Sequence, residues 1–231
     1  MKNLKSIIAA LSLAATFTMS TANATPVTIK FDGFANGYKN VSVDLDTPDF
    51  GGTFRAGMYD LSQVGTSGTW LDSVANNEIY AFCVELDESI GIGSTTVFDL
   101  VKAEDVLSVS SVTTIAKLLS SLPGFGFNGT VSGEIQASIW ELVYDEALPG
   151  DFDAGNFETT TFTTSSILAD AKAYTGPIKY ELFVLSSVGD PGKQDLLVWR
   201  EVSAPSTLAL FVLAGGLIAM RARKQKLISR A

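Results

Sequence analysis

The chain contains a single cysteine, Cys83, and no histidine. The missing histidine excludes His-based catalytic triads and His-containing metal sites, and one thiolate cannot build a structural zinc site. Cys83 lies in the run 80–87, whose alternating side chains predict a strand with aromatic residues on one face and Cys83, Glu85 and Asp87 on the other. Three roles remain open for a thiol on this polar face: a disulfide to another chain, a free or buried thiol, or a bond to a group other than cysteine.

Residues 1–24 have the pattern of a secretory signal peptide. Lys2 and Lys5 precede an apolar run over 7–17, and three small residues near its end provide a cleavage site. The apolar run is too short to favour a membrane anchor. We therefore predict export, with a mature protein that begins near Thr25.

The C-terminal segment 202–231 carries a second membrane signal. Its uncharged run predicts a short transmembrane helix over 205–220, whose 13 most apolar residues, 208–220, give about 20 Å of helix and hence a weak anchor. A basic end over 221–231 follows at once, and its cations are Arg221, Arg223, Lys224, Lys226 and Arg230. This order is typical of a stop-transfer signal with a cytoplasmic end.

The residues before the apolar run complete the pattern. They are Val202, Ser203, Ala204 and Pro205, followed by Ser-Thr-Leu. With the helix and the basic end, they resemble the PEP-CTERM sorting tail of Gram-negative bacteria, although Ser203 and Ala204 replace the first Pro and the Glu of that motif. The resemblance implies that a sorting protease of the exosortase type cuts an inner-membrane intermediate and delivers the protein to the cell surface or matrix.

The segment 25–201 between the two signals is acidic. The terminal segments hold seven of the 16 basic residues and none of the 25 acidic ones, which leaves 25–201 with a net charge of −16. Such a surface repels nucleic acid and anionic lipid, so we expect no nucleic-acid partner. With 46% hydrophobic residues and 14 Phe, the chain can fill one sizeable core, and we expect a single extracytoplasmic domain.

The pattern within this domain is mostly that of strands. They are predicted at 27–34, 41–45, 50–57 and 80–87, and in a final hairpin of 178–186 and 194–202 that turns at 189–192. Apolar periodicity predicts helices at 115–122 and at 132–145 from a cap at Ser132, and a third, short helix is expected at 167–174. We therefore expect an α+β fold: a β-rich sandwich or barrel-like domain with two or three inserted helices.

The second predicted helix places Gln136 beside its apolar stripe and one turn before Trp140, where the amide is shielded from water. Together with the strand of Cys83, this segment resembles the Cys-Gln thioester domains of bacterial surface adhesins, in which an aromatic-Cys strand motif meets a Thr-Gln-x-Ala-x-Trp helix motif. Phe82, Cys83, Gln136 and Trp140 match these motifs. The resemblance implies a thioester cross-link between Cys83 and Gln136, with Phe82 and Trp140 supporting its pocket.

These features predict an exported cell-surface or matrix protein, not an enzyme, that requires no metal or cofactor. Through the thioester it would attach to a nucleophilic amine or hydroxyl on a surface protein or polysaccharide. The alternative is a purely structural protein of a biofilm matrix without a reactive thioester. A glycosidase-like site is a third interpretation, and its candidate carboxylates are Glu85, Asp87, Glu88 and Glu141.

Overall fold

The structure is a computed structural model that describes residues 24–145, 152–162, 166–187 and 193–202. Nearly all of the predicted signal peptide, the sorting tail beyond Val202 and the turn predicted at 189–192 lie outside these residues. Within the described ranges, no helix has the length and apolar character needed to cross a membrane.

Two sheets contain the strands of the described chain. The strands are β1 (Thr25–Phe34), β2 (Lys39–Leu45), β3 (Phe50–Ala56), β4 (Tyr59–Gln63), β5 (Ile79–Cys83), β6 (Thr95–Lys102), β7 (Phe157–Thr159), β8 (Tyr180–Ser186) and β9 (Leu196–Glu201). An antiparallel barrel closes in the order β1-β4-β5-β9-β8-β6, and β2 pairs with β3 and β7 in a separate antiparallel sheet.

Alternation along the strands separates the barrel interior from its outer face. Every second residue of β1 is buried from Val27 to Phe31. On β5, Ile79, Ala81 and Cys83 belong to the interior cluster, whereas Phe82 packs outside the barrel. The strand that carries the thiol is therefore covered on both faces.

Three helices occur in the described chain: α1 (Val109–Ser121), α2 (Gly129–Tyr144) and α3 (Ser166–Ala173). The start of α2 is capped by Asn128, whose side-chain oxygen accepts two backbone N–H groups of the first turn. Apolar residues of all three helices form a second core cluster with outward-facing residues of the barrel. The helices thus shield the outer face of β5, β8 and β9 from water.

Helix α2 contacts the three-stranded sheet as well as β5 of the barrel. Nearly every residue from Ser132 to Leu142 is buried, so the helix lacks a polar face. Its glycines permit this close approach: a Cβ on Gly133 would lie 2.6 Å from Cβ of Lys39, and one on Gly129 would lie 2.9 Å from the Tyr38 backbone. Helix α2 is therefore held at a fixed distance from the strands around it.

The expected α+β fold is confirmed in its coarse form, because the described chain is a β-rich barrel with three helices. All three predicted helices are present; α1 begins at Val109, earlier than predicted, and so does α2. Its cap is Asn128, and the predicted cap Ser132 is buried within the helix, where its hydroxyl accepts the N–H of Met58.

The strand predicted over 80–87 is shorter in the structure. β5 ends at Cys83, and the N–H of Asp195 donates to the Glu85 carboxylate instead of continuing the ladder. The prediction that Cys83 lies on a polar face is wrong, because that face is the barrel interior and Cys83 is buried. The strands β4, β6 and β7 are present without having been predicted.

Candidate functional site

The backbone of Cys83 lies at a gap between two barrel strands. β4 and β5 pair as far as Tyr59 and Ala81, and the register would place Gly57 opposite Cys83 if the pairing continued. The side chain of Gln136 takes that place: the N–H of Cys83 donates to Gln136 Oε1 at 2.7 Å, and Gln136 Nε2 donates to the carbonyl oxygen of Cys83 at 2.9 Å. The carboxamide thus replaces a peptide group of the missing strand.

One face of α2 provides hydrogen-bond partners for backbone groups of β5 and of the residue just before β4. Ser132 lies one turn before Gln136, and its hydroxyl accepts the N–H of Met58, just before β4, at 2.5 Å. Ser132 and Gln136 are both fully buried. Because a buried backbone group without a partner costs about 1–3 kcal/mol, Gln136 explains how the barrel tolerates the gap, and Ser132 provides a partner for a backbone group next to it.

The thiol of Cys83 begins a chain of hydrogen bonds. Sγ donates to Tyr59 Oη at 2.7 Å, and Tyr59 Oη donates to Gln194 Oε1 at 2.9 Å. Gln194 Nε2 donates to the carbonyl oxygen of Glu85 at 2.8 Å, and the N–H of Asp195 donates to Glu85 Oε1 at 2.7 Å. The chain links the thiol to the segments that follow β5 and precede β9.

Burial controls the protonation of these groups. Desolvation raises the pKa of the Cys83 thiol well above its usual range, against the opposing effect of the Tyr59 hydrogen bond. Desolvation also raises the pKa of Tyr59, and the nearby Cys83 adds to that shift. The pKa of Glu85 rises to about 7, chiefly through burial, and the charge of Asp195 contributes. At neutral pH the thiol and the phenol are therefore both protonated.

Cys83 lines a cavity of about 440 Å³. Aromatic rings make up much of its wall, namely Phe31, Phe34, Phe54, Tyr59 and Trp140, and its polar lining includes Arg55, Glu88 and Gln194. Trp140 is buried one turn after Gln136, and within the described part of the chain its Nε1 has no hydrogen-bond partner. A molecule that enters this cavity meets the residue that carries the thiol.

Phe82, the other predicted pocket residue, lies on the opposite face of β5. Its ring stacks on Trp199 with centroids 5.7 Å apart, in the core between the barrel and the helices. The structure therefore brings Cys83, Gln136 and Trp140 together but does not bring Phe82 to the cavity.

The carboxylates considered for a glycosidase-like site have different surroundings. Glu85 is half-buried beside Asp195, Glu88 lines the cavity, and Glu141 is fully buried in α2. Among residues 24–145, 152–162, 166–187 and 193–202, no group of three or more His, Cys, Asp or Glu residues is placed to hold a metal ion.

Two residues of the site, Tyr59 and Gln194, were not predicted from the sequence. Tyr59 begins β4, in which Tyr59, Leu61 and Gln63 are buried in alternation. This alternation was visible in the sequence and could have indicated the strand. No sequence pattern, however, pairs Tyr59 with Cys83, because the contact depends on the register between β4 and β5.

None of the protein-family models, curated proteins and solved structures compared with this chain matches it. Within the described chain, the Gln136 carboxamide bonds the backbone of buried Cys83, and the phenol of Tyr59 contacts the Cys83 sulfur.

Proposed function

We propose that this chain is an exported cell-surface or extracellular-matrix protein that attaches covalently to a target amine or hydroxyl through a thioester between Cys83 and Gln136. The observation that carries the proposal is the pair of hydrogen bonds that holds the Gln136 carboxamide against the backbone of Cys83. Both residues are buried, so water has little access to a bond between them.

The bond forms by an exchange that balances within the protein. The sulfur of Cys83 adds to the amide carbon of Gln136, the C–N bond breaks, and Nε2 leaves as ammonia with the thiol proton. Negative charge develops on Gln136 Oε1 during the addition. The N–H of Cys83, 2.7 Å from that oxygen, is placed to stabilise this charge.

A target nucleophile then opens the thioester. An amine attacks the carbonyl carbon, the C–S bond breaks, and Gln136 is left joined to the target by an amide while Cys83 regains its thiol. The cavity beside Cys83 offers a route for a slender nucleophilic group, and the burial of Cys83 and Gln136 limits the access of bulk water to the bond. Attachment is thus favoured over hydrolysis.

Export supplies the setting for this reaction. The sequence pattern of residues 1–24 directs the chain out of the cytoplasm, and the tail over 202–231 resembles a signal for a sorting protease of the exosortase type. In this proposal the C-terminal helix holds an inner-membrane intermediate until the protein is processed. The partner is then a nucleophile on a surface protein or polysaccharide.

Intact-mass measurement tests the thioester. The folded protein should be lighter than its sequence mass by one ammonia, and its thiol should resist alkylation until methylamine opens the bond. Cys83→Ala and Gln136→Glu should each restore the full sequence mass. Asn128→Asp, an amide-to-carboxyl change at the exposed cap of the same helix, should keep the deficit. A parent protein with the full sequence mass would overturn the proposal, whether or not its buried thiol is alkylated.

A second candidate function is that of a structural matrix protein without a reactive bond. It is favoured by the way the Gln136 amide replaces a strand, because both of its polar atoms bond the Cys83 backbone without any covalent step. Intact mass distinguishes the two functions. A purely structural protein keeps the Gln136 carboxamide and hence its full sequence mass, and it does not react with methylamine.

A further inference from the structure

We propose that Tyr59 is the proton shuttle of the acyl-transfer site, carrying a proton from the attacking amine to the sulfur of Cys83 when the thioester opens. This inference rests on the proposed function, because it assigns a catalytic role within the same reaction. Its basis is the direct contact between Tyr59 Oη and Cys83 Sγ at 2.7 Å.

The position of the phenol is fixed by packing and by one further hydrogen bond. Tyr59 is 5% exposed, and its ring lies 4.7 Å from the ring of Phe31 and 5.0 Å from that of Phe34. Its hydroxyl also donates to Gln194 Oε1 at 2.9 Å. The phenolic hydrogen therefore has two acceptors within reach, the sulfur and the amide oxygen of Gln194.

A buried sulfur needs a proton when it leaves. Desolvation disfavours the thiolate of Cys83, so the C–S bond breaks more readily if the sulfur departs as a thiol. Among the described residues, the side chain hydrogen-bonded to Sγ is Tyr59. Tyr59, Cys83 and Gln194 all line the cavity, which is the route proposed for the amine.

The proton balance closes without any other reactant. Addition of the amine to the thioester carbon gives an ammonium nitrogen and an oxyanion. Collapse of this intermediate breaks the C–S bond as Tyr59 Oη–H protonates the sulfur, and the Tyr59 oxygen takes a proton from the ammonium nitrogen. The products are an amide on Gln136, the Cys83 thiol and an unchanged Tyr59. Formation of the thioester uses the same path in reverse.

The test is the rate at which methylamine opens the thioester, followed by intact mass and by alkylation of Cys83. If Tyr59 relays the proton, the parent reaction is first order in methylamine. Tyr59→Phe keeps the ring but removes the hydroxyl. In this variant, opening of the thioester should slow by about 10²-fold or more and become second order in methylamine, because a second amine must carry the proton. Tyr144→Phe is the matched control: its hydroxyl accepts the N–H of Leu86 at 3.0 Å, and its loss should leave rate and order unchanged.

The outcomes separate this inference from the proposed function. Full sequence mass in the parent overturns both. Two outcomes overturn the shuttle alone, provided that the parent shows the mass deficit. One is an equal rate of thioester opening in the parent and Tyr59→Phe, and the other is a parent reaction that is second order in methylamine. A folded Tyr59→Phe protein that acquires the deficit much more slowly than Tyr144→Phe supports the same proton transfer during bond formation.

Discussion

Gln136→Glu provides a quantitative test of how the carboxamide is held. The substitution is made in a Cys83→Ala background, and the double variant is compared with Cys83→Ala alone. Cys83→Ala cannot form a thioester but keeps the backbone N–H and carbonyl that Gln136 bonds. An ionised carboxyl at position 136 would still accept the N–H of Cys83, but it would place a negative charge against the carbonyl oxygen. A protonated carboxyl can bond both groups. Burial and these bonds therefore raise the pKa of the introduced carboxyl.

The sign of the effect on stability follows from this direction. A pKa that is higher in the folded state means that folding takes up a proton, so the free energy of unfolding falls as pH rises above the unfolded pKa of about 4.3. The slope approaches about 1.4 kcal/mol per pH unit, which amounts to at most about 4 kcal/mol between pH 4.3 and pH 7. Cys83→Ala alone should lack this loss.

Urea denaturation from pH 4.5 to pH 8 measures the difference between the two proteins. Asn128→Asp in the same background is the control, because a carboxylate at a helix N-terminus is favoured in its charged form and is already ionised in the folded and unfolded states above about pH 4.5, so its contribution should stay nearly constant across the titration. If the free energy of unfolding of the Cys83→Ala, Gln136→Glu double variant has the same pH dependence as that of Cys83→Ala, the carboxamide is not held between both backbone groups of Cys83. The interpretation that it replaces a strand is then refuted.

Three further predictions concern other parts of the chain. Because burial raises the pKa of Glu85 from 4.5 to about 7, its contribution to the free energy of unfolding falls as pH rises across that window. After solvent screening this loss amounts to about 1–2 kcal/mol, and Glu85→Gln should abolish it in urea titrations at pH 5 and pH 8. Gly133→Ala should lower the free energy of unfolding by about 1–3 kcal/mol because its Cβ meets Lys39, whereas Gly126→Ala, with open space around it, should not. Replacing Pro205 should leave unprocessed precursor in the inner membrane, and normal release on immunoblots would contradict the sorting-motif prediction.

Local sequence patterns account for most of the elements but not for the site. Apolar periodicity predicted α1 and α2, and α2, which begins at Gly129 after its cap Asn128, still places Gln136 and Trp140 one turn apart. The cap was misassigned because Ser132 and Asn128 are both good cap residues, and burial against Met58 decides between them. Tertiary packing, which a local pattern does not contain, made that choice.

The same limit explains the error about the face of Cys83. Glu85 and Asp87 suggested a polar face because the alternation was extended beyond the end of the strand. In the structure β5 ends at Cys83. The N–H of Val84 makes one more backbone bond, to the carbonyl of Asp195 at 3.0 Å, and the Glu85 carboxylate accepts the N–H of Asp195, which is about 110 residues away in sequence. The partner of a strand end is set by long-range topology. Without the barrel order, neither that partner nor Tyr59 can be identified from the sequence.

Formation of the thioester should change the hydrogen bonds at the gap in a defined way. The carbonyl of Gln136 remains and keeps the N–H of Cys83, but Nε2 departs, so the buried carbonyl of Cys83 loses its donor at a cost of about 1–3 kcal/mol. The cross-link joins residues 53 apart and restricts the unfolded chain by about 4 kcal/mol on the chain-entropy model.

The bond should therefore stabilise the domain by about 1–3 kcal/mol, the difference between these two effects. Opening by methylamine reverses both, because the product is a secondary amide whose N–H can again donate to the Cys83 carbonyl while the cross-link is gone. Urea denaturation of the closed and the methylamine-opened protein measures the difference. Equal stability of the two forms would mean that the cross-link adds no constraint beyond the hydrogen bonds already holding α2 to β5.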